Sequence, residues 1–411
     1  VLKRTPTARA CCPGAGALAI FGDPTQGLSG TGAYNGGVEF LLVSNGPGEV
    51  AGWALPLARA LRRLAPAASV ELALPPCQYA TGREAEVARR SGLFQRVYPP
   101  ADVVRLVLGG KRLQSRCVVH VGGDLWYAAR LGRHAGCPAL AYVERDLVVR
   151  RHRAFAWIAT STESLAQDLV RRGVPAEKVG AVGDLRVDAV EPLEGHDGQG
   201  GRVLLLLPGS RPAIFRDLAP LMLEVGEKVR AQLPELEVAL APSPFLPETL
   251  VEETVRGQQV AVAWTLEERR TLLSRTVLAL TLPGTSNVEL GLLGVPMLVW
   301  LPLYDFSRVP LEGVVEWLGR VPGVGRALKA WAVRRGLARL RYTSPVNAAV
   351  GFALVEEEVS QAPPAAVAFR VVRLLEDEAG LRRVQEQLRR HFHRPRGAAE
   401  RLARRVLELA S

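Results

Sequence analysis

VEFLLVSNGPGEVAGW, residues 38–53, runs from an apolar strand through a glycine-rich turn into the start of a helix. Such turns commonly receive a phosphate, because the first N–H groups of a helix lack partners and its dipole favours anions. Gly46, Gly48 and Gly52 are spaced GxGxxxG, however, one residue longer than the GxGxxG of a dinucleotide site. The loop therefore reads as a shaped turn, with Pro47 and Gly48 setting its path and Glu49 pointing inward. A phosphate grip is sought elsewhere.

Outward from this unit, short apolar runs alternate with helical patterns. VEFLLV (38–43) precedes a helix over about 49–65, and VELALP (71–76), CVVHVGG (117–123), ALAYV (139–143) and WIAT (157–160) follow as strands. A helix is predicted over 161–172, with Ser161 or Thr162 as its N-cap and Gly173 and Pro175 as its stop. Fully apolar strands of this length mark a parallel sheet covered on both faces. PLEGHDGQGG (192–201) has turn composition and divides the chain.

The alternation then restarts with RVLLLLPGSR (202–211), a helix over about 215–232, LEVALAPS (236–243), VAVAW (260–264), VLALTL (277–282) and PMLVWLP (296–302). The fold class is α/β: two doubly wound halves, 38–191 and 202–375, facing a cleft, with C-terminal helices (376–411) at their junction. The Arg-rich segment 382–405 reads as an amphipathic helix.

The 411 residues, 48% apolar and 23% charged, exclude a disordered chain, and the net charge of +11 points to anionic company. Five cysteines (Cys11, Cys12, Cys77, Cys117, Cys137) form no CxxC pair, and no D-x-D pair occurs, so neither a metal site nor a metal cofactor is expected. Residues 1–37 read as a disordered leader without the apolar core of a signal peptide. The most apolar long stretch, 277–303, is broken by Pro283, Gly284, Asn287, Glu289 and Pro296, which argues against a spanning helix.

Three turns carry candidate chemistry. Gly209-Ser210-Arg211 ends a strand with small residues that let a ligand approach, followed by an arginine suited to a phosphate. Gly284, Thr285, Ser286 and Asn287 offer amides and hydroxyls at a helix start, and Glu289, read in the first helical turn, is placed to accept from sugar hydroxyls. Asp124 follows a strand directly and is either a general base facing the cleft or the cap of the next helix; His120 reads as a core histidine.

GPGEVAGW (46–53), GGDLWY (122–127), GAVGDLRVDAV (180–190), LLPGSRPAIFRDLAPLML (206–223) and PGTSNVELGLLGVPMLV (283–299) occur in order, and together they resemble the lipid-A-disaccharide synthase family. SPVNAAVGFALVEEEVSQ (344–361) is similar to that family's downstream Pro-Asn segment. The resemblance implies a GT-B fold and an inverting glycosyltransferase that moves an acylated glucosamine from a UDP-sugar donor to a lipid acceptor. It implies UDP contacts from Gly209, Ser210, Arg211, Gly284, Thr285, Ser286, Asn287 and Glu289. Asp124 is then the catalytic base and Glu49 the acid of the first glycine loop.

Ala51 and Trp53 depart from the Ser and Asp usual in that loop, and Tyr127 replaces a second Asp, so a divergent member with an altered acceptor is expected. The segment 304–342 carries eight Arg/Lys between 308 and 341 against Glu312 and Glu316, with Trp317 and Trp331 interleaved, which suits an anionic membrane surface. A cytoplasmic enzyme peripheral to the inner membrane is expected. The alternatives are an enzyme resembling UDP-N-acetylglucosamine epimerases, acting on a soluble sugar, and a nucleic-acid binder. The latter rests on charge without a recognisable motif, so no nucleic-acid partner is expected.

Overall fold

The computed structural model describes residues 40–78, 80–110, 113–193, 202–303, 335, 340–392 and 394–410. The expected leader (1–37) and nearly all of the linker (192–201) and the basic segment (304–342) lie outside the described residues.

Two all-parallel sheets organise the chain. The first contains β1 (Phe40–Val43), β2 (Val70–Ala73), β3 (Arg96–Tyr98), β4 (Cys117–His120), β5 (Ala139–Val143), β6 (Trp157–Thr160) and β7 (Val179–Ala181), in the order β3-β2-β1-β4-β5-β6-β7. The second contains β8 (Val203–Leu207), β9 (Glu237–Leu240), β10 (Ala261–Val262), β11 (Thr276–Thr281), β12 (Met297–Pro302) and β13 (Glu356–Ser360), in the order β10-β9-β8-β11-β12-β13. In each sheet the strand order reverses beside the first strand, between β1 and β4 and between β8 and β11. At such a switch point the outgoing loops diverge and leave a crevice.

Every residue of β1, β5 and β8 is buried, because helices cover both sheet faces. Phe40 and Leu42 enter one core of the first domain, while Leu41 and Val43 enter the core on the opposite face. Leu204 and Leu206 are divided in the same way from Val203, Leu205 and Leu207 in the second domain. Burying one such leucine stabilises by about 1.5–3 kcal/mol.

A continuous helical stretch follows β1: Pro47–Glu49, a π turn at Val50–Ala54, then Leu55–Leu64. Its buried Val50, Ala54, Leu57, Ala58 and Leu61 keep helical spacing toward the core. The chain returns to the first domain at its end. Helix Glu378–Phe392 packs on helix Thr285–Leu293, and helix Ala398–Ala410 packs on Leu55–Leu64, with Arg63 and Glu400 paired at 2.7 Å. The Arg-rich tail thus forms two helices rather than one, divided near Arg394 and Gly397.

Candidate active site

Glu49 is a pin between two loops. Its Oε2 accepts from the amide of Gly46 at 3.1 Å, and the nearby amides of Gly123 and Asn45 also favour its charged form. Burial raises its pKa above the ordinary glutamate value, outweighing those bonds and the nearby Arg145. Gly122 makes the arrangement possible: its φ is +130°, and a Cβ there would lie 2.9 Å from three atoms of Glu49. Ser44 completes the junction, its Oγ donating to the carbonyl of Val121 at 3.0 Å.

Asp124 caps helix Leu125–Ala135, accepting from the amide of Trp126 at 2.8 Å, and it pairs with Arg151 at 2.6 Å. Its side chain is 59% exposed. It stands where the loop after β4 diverges from that after β1. His120, one strand position below Val121, is fully buried, and burial brings its pKa down to about 4.

The second domain presents two helix starts at its own switch point. Gly209, at φ +93°, turns the chain out of β8, and Arg211 is the N-cap of helix Pro212–Gln232. After β11, Gly284 precedes helix Thr285–Leu293. Asn287 is fully buried, donating to Thr281 Oγ1 at 3.3 Å and the carbonyl of Leu282 at 2.9 Å and accepting from the amide of Gly284 at 3.2 Å. It shapes the loop from within. Glu289 is the fifth residue of its helix, beyond the first turn where the sequence placed it, and it pairs with Arg269 at 2.9 Å.

A cavity of about 300 Å³ lies between the domains. Gly209, Ser210, Thr285, Ser286 and Glu289 line it from the second domain; Pro47, Gly48, Ala51 and Gly52 line it from the first. Gly284, Asn287, Arg211, Glu49 and Asp124 stand outside the lining. The second-domain wall brings small residues beside two helix starts, an arrangement suited to an anion.

A sequence model of the lipid-A-disaccharide synthetase family matches residues 196–307, which include both of these helix-start loops. Over 178 residues the chain is 29% identical to the lipid-A-disaccharide synthase of Anaeromyxobacter dehalogenans, covering 43% of this chain and 40% of that one. Over 304 residues it is 25% identical to the synthase of Geobacter sulfurreducens, covering 68% of this chain and 71% of that one. The chain spans less than half the length of the first of these relatives, and the matches support a divergent member of the lipid-A-disaccharide synthase family.

Solved structures agree on the fold. Acinetobacter baumannii MurG superposes with a TM-score of 0.51 at 14% identity, covering 90% of this chain and 99% of that one. A Listeria monocytogenes protein assigned as a UDP-N-acetylglucosamine 2-epimerase superposes with a TM-score of 0.54 at 13% identity, covering 91% and 96%. The two facing Rossmann-like domains are those of a GT-B fold.

The structure adds arginines that no local motif flagged. Arg59, Arg83, Arg186, Arg269 and Arg270 all line the cavity, with Glu191, Glu248 and Glu289 among them. Arg270 pairs with Glu191, and Arg83 with Glu86 at 2.8 Å. Arg186 lies inside a quoted motif, GDLRVD, but nothing in its spacing says that the chain after β7 reaches the cleft.

Proposed function

We propose that the chain is an inverting glycosyltransferase of lipid A synthesis, moving a glucosamine-type sugar from a UDP donor to a lipid acceptor. The observation that carries this reading is the meeting of the Gly209-Ser210 and Thr285-Ser286 loops in one interdomain cavity, on the stretch that the family model matches. The donor diphosphate lies against the two helix starts, where amides and dipoles favour its charge. The acceptor enters from the first domain. Its hydroxyl attacks the anomeric carbon, the bond to UDP breaks, and Asp124 takes the hydroxyl proton.

Asp124 suits that role better than Glu49. Its carboxylate is exposed, whereas that of Glu49 is largely withdrawn from solvent and accepts from the amide of Gly46. Trp126, in the first turn of helix Leu125–Ala135, and Leu147, in the helical turn after β5, are 45% and 69% exposed, and the Asp124–Arg151 pair ties the two segments together. Apolar tips beside a candidate base fit a lipid acceptor at a membrane surface. Among the described residues no helix is long and apolar enough to cross a membrane. A cytoplasmic position peripheral to the inner membrane fits this reading, as does the basic composition of residues 304–342.

Calorimetric titration with UDP, paired with a UDP-release assay on acylated glucosamine 1-phosphate, tests the proposal. UDP binding with acceptor-dependent release supports it. Conversion of UDP-N-acetylglucosamine without an acceptor would replace it with the epimerase reading, and absence of UDP binding would sink it.

A further inference from the structure

Arg186 is held in an unusual way. Its Nε and Nη2 donate to the two carboxylate oxygens of Asp184, both at 3.0 Å, and Nη2 also lies 2.9 Å from Glu144 Oε1. Asp184 is nearly inaccessible, its side chain 1% exposed, and it binds Arg394 Nη1 at 3.2 Å as well. Glu144 is oriented in turn by the Tyr142 hydroxyl at 3.3 Å. Two edges of the guanidinium are thereby held by the buried Asp184 and the partly buried Glu144. The third edge, Nη1, has no partner among the described residues, and Arg186 lines the interdomain cavity.

Room for this side chain is built into the first glycine loop. A Cβ on Gly52 would lie 3.1 Å from Arg186 Cγ, so the arginine stem rests against the π turn Val50–Ala54. A π turn inside a helix often marks a functional position. The four groups Glu144, Asp184, Arg186 and Arg394 balance in charge, so the cluster is stable without a ligand. Only Arg186 of the four lines the cavity. A planar cation immobilised on two edges and open on the third is preorganised for an oxyanion, because little rotamer entropy remains to be lost on binding.

We infer that Arg186 binds a phosphate-class oxyanion through Nη1, on the first-domain wall facing the Ser210 and Thr285 loops. The inference rests on the glycosyltransferase reading for the identity of that anion, which is either the donor's diphosphate or a phosphate on the acceptor.

The test uses the full chain with Arg186→Gln, Arg186→Lys and, as a control, Arg394→Gln, which removes the other cation from Asp184 without touching the cavity wall. UDP and inorganic diphosphate are titrated by calorimetry, and transfer kinetics are measured with a phosphorylated and an unphosphorylated glucosamine acceptor. Arg186→Gln should weaken one oxyanion-bearing ligand by about 10- to 100-fold, the loss expected for a charge-assisted hydrogen bond, with kcat changing less than KM. A rise in the UDP Kd assigns the donor diphosphate; a rise in KM confined to the phosphorylated acceptor assigns the acceptor.

Changes within about twofold in every ligand would overturn the inference, as would an equal loss in Arg394→Gln, which would make the role structural. Should Arg186→Gln not fold, Arg186→Lys is read instead, because it keeps a charge beside Asp184 but loses the fork. If the unmodified chain binds no UDP, the glycosyltransferase reading fails separately, and diphosphate binding by the wild type and the variants still decides the role of Arg186.

Discussion

Gly48 and Thr285 meet across the cleft: a Cβ on Gly48 would lie 3.0 Å from Thr285 Cγ2. One residue belongs to the loop after β1, the other opens the helix after β11. The glycine in the opening loop therefore lets the two domains approach across the cleft. Gly48→Ala should hold the domains apart by a few tenths of an ångström and lower kcat by about tenfold, in keeping with the steep cost of misplacing reactants. Thr285→Ser removes the opposing methyl and should restore most of that loss in the double variant. Steady-state kinetics of the four-member cycle check this; additive losses would separate the two residues.

Asp124 offers a test in which capping and chemistry come apart. Asparagine caps a helix about as well as aspartate, so Asp124→Asn should leave the urea midpoint nearly unchanged. As the general base its loss should lower turnover by about 10²- to 10⁴-fold with the UDP Kd intact. Near-normal turnover would remove Asp124 from the role. Glu49→Gln should behave in the opposite sense, because it disturbs the Gly46 bond and the packing of this side chain against Gly122. It is expected to cost about 1–3 kcal/mol in urea unfolding.

Burial explains which elements were legible in the sequence. The central strands β1, β4, β5, β6, β8, β11 and β12 are apolar because both sheet faces are covered, and each was read in place, though the runs for β4 and β8 extended three and four residues into the following turns. The strands that escaped notice, β3, β7 and β13, are all sheet edges. β13 reads EEEVS, with Glu356 and Glu358 paired to Arg370, so its sequence carries an ion cluster rather than an apolar run. The helix-start loops of the second domain were legible because glycine, serine and threonine after an apolar strand mark a turn into a helix. The arginines of the cavity were not, since each reaches it from a different loop.

Asn287, first read as a ligand contact, becomes a test of loop shape. Asn287→Ala leaves the amide of Gly284 and the carbonyl of Leu282 without their side-chain partners, at a cost of about 1–3 kcal/mol in urea unfolding. Asn287→Asp keeps an acceptor for Gly284 but sets a carboxylate oxygen against the carbonyl of Leu282, and should destabilise at least as much. Both variants should raise the UDP Kd through the loosened loop. Unchanged UDP binding in a destabilised variant would separate this loop from the donor site.

His120 sets an acid limit on the fold. Burial lowers its pKa from 6.5 to about 4, so the folded state resists a proton that the unfolded chain accepts. Between those values the unfolded state binds more protons, and stability must fall as pH falls. The contribution is complete above pH 6.5 and lost progressively toward pH 4, on the order of 3 kcal/mol in all. His120→Gln cannot titrate. Its stability between pH 7 and 5 should therefore fall less steeply than that of the wild type, by up to about 1.4 kcal/mol per pH unit, the weight of one proton. Urea midpoints measured across that range decide it: parallel slopes for the two proteins would show that the imidazole takes no part in acid unfolding.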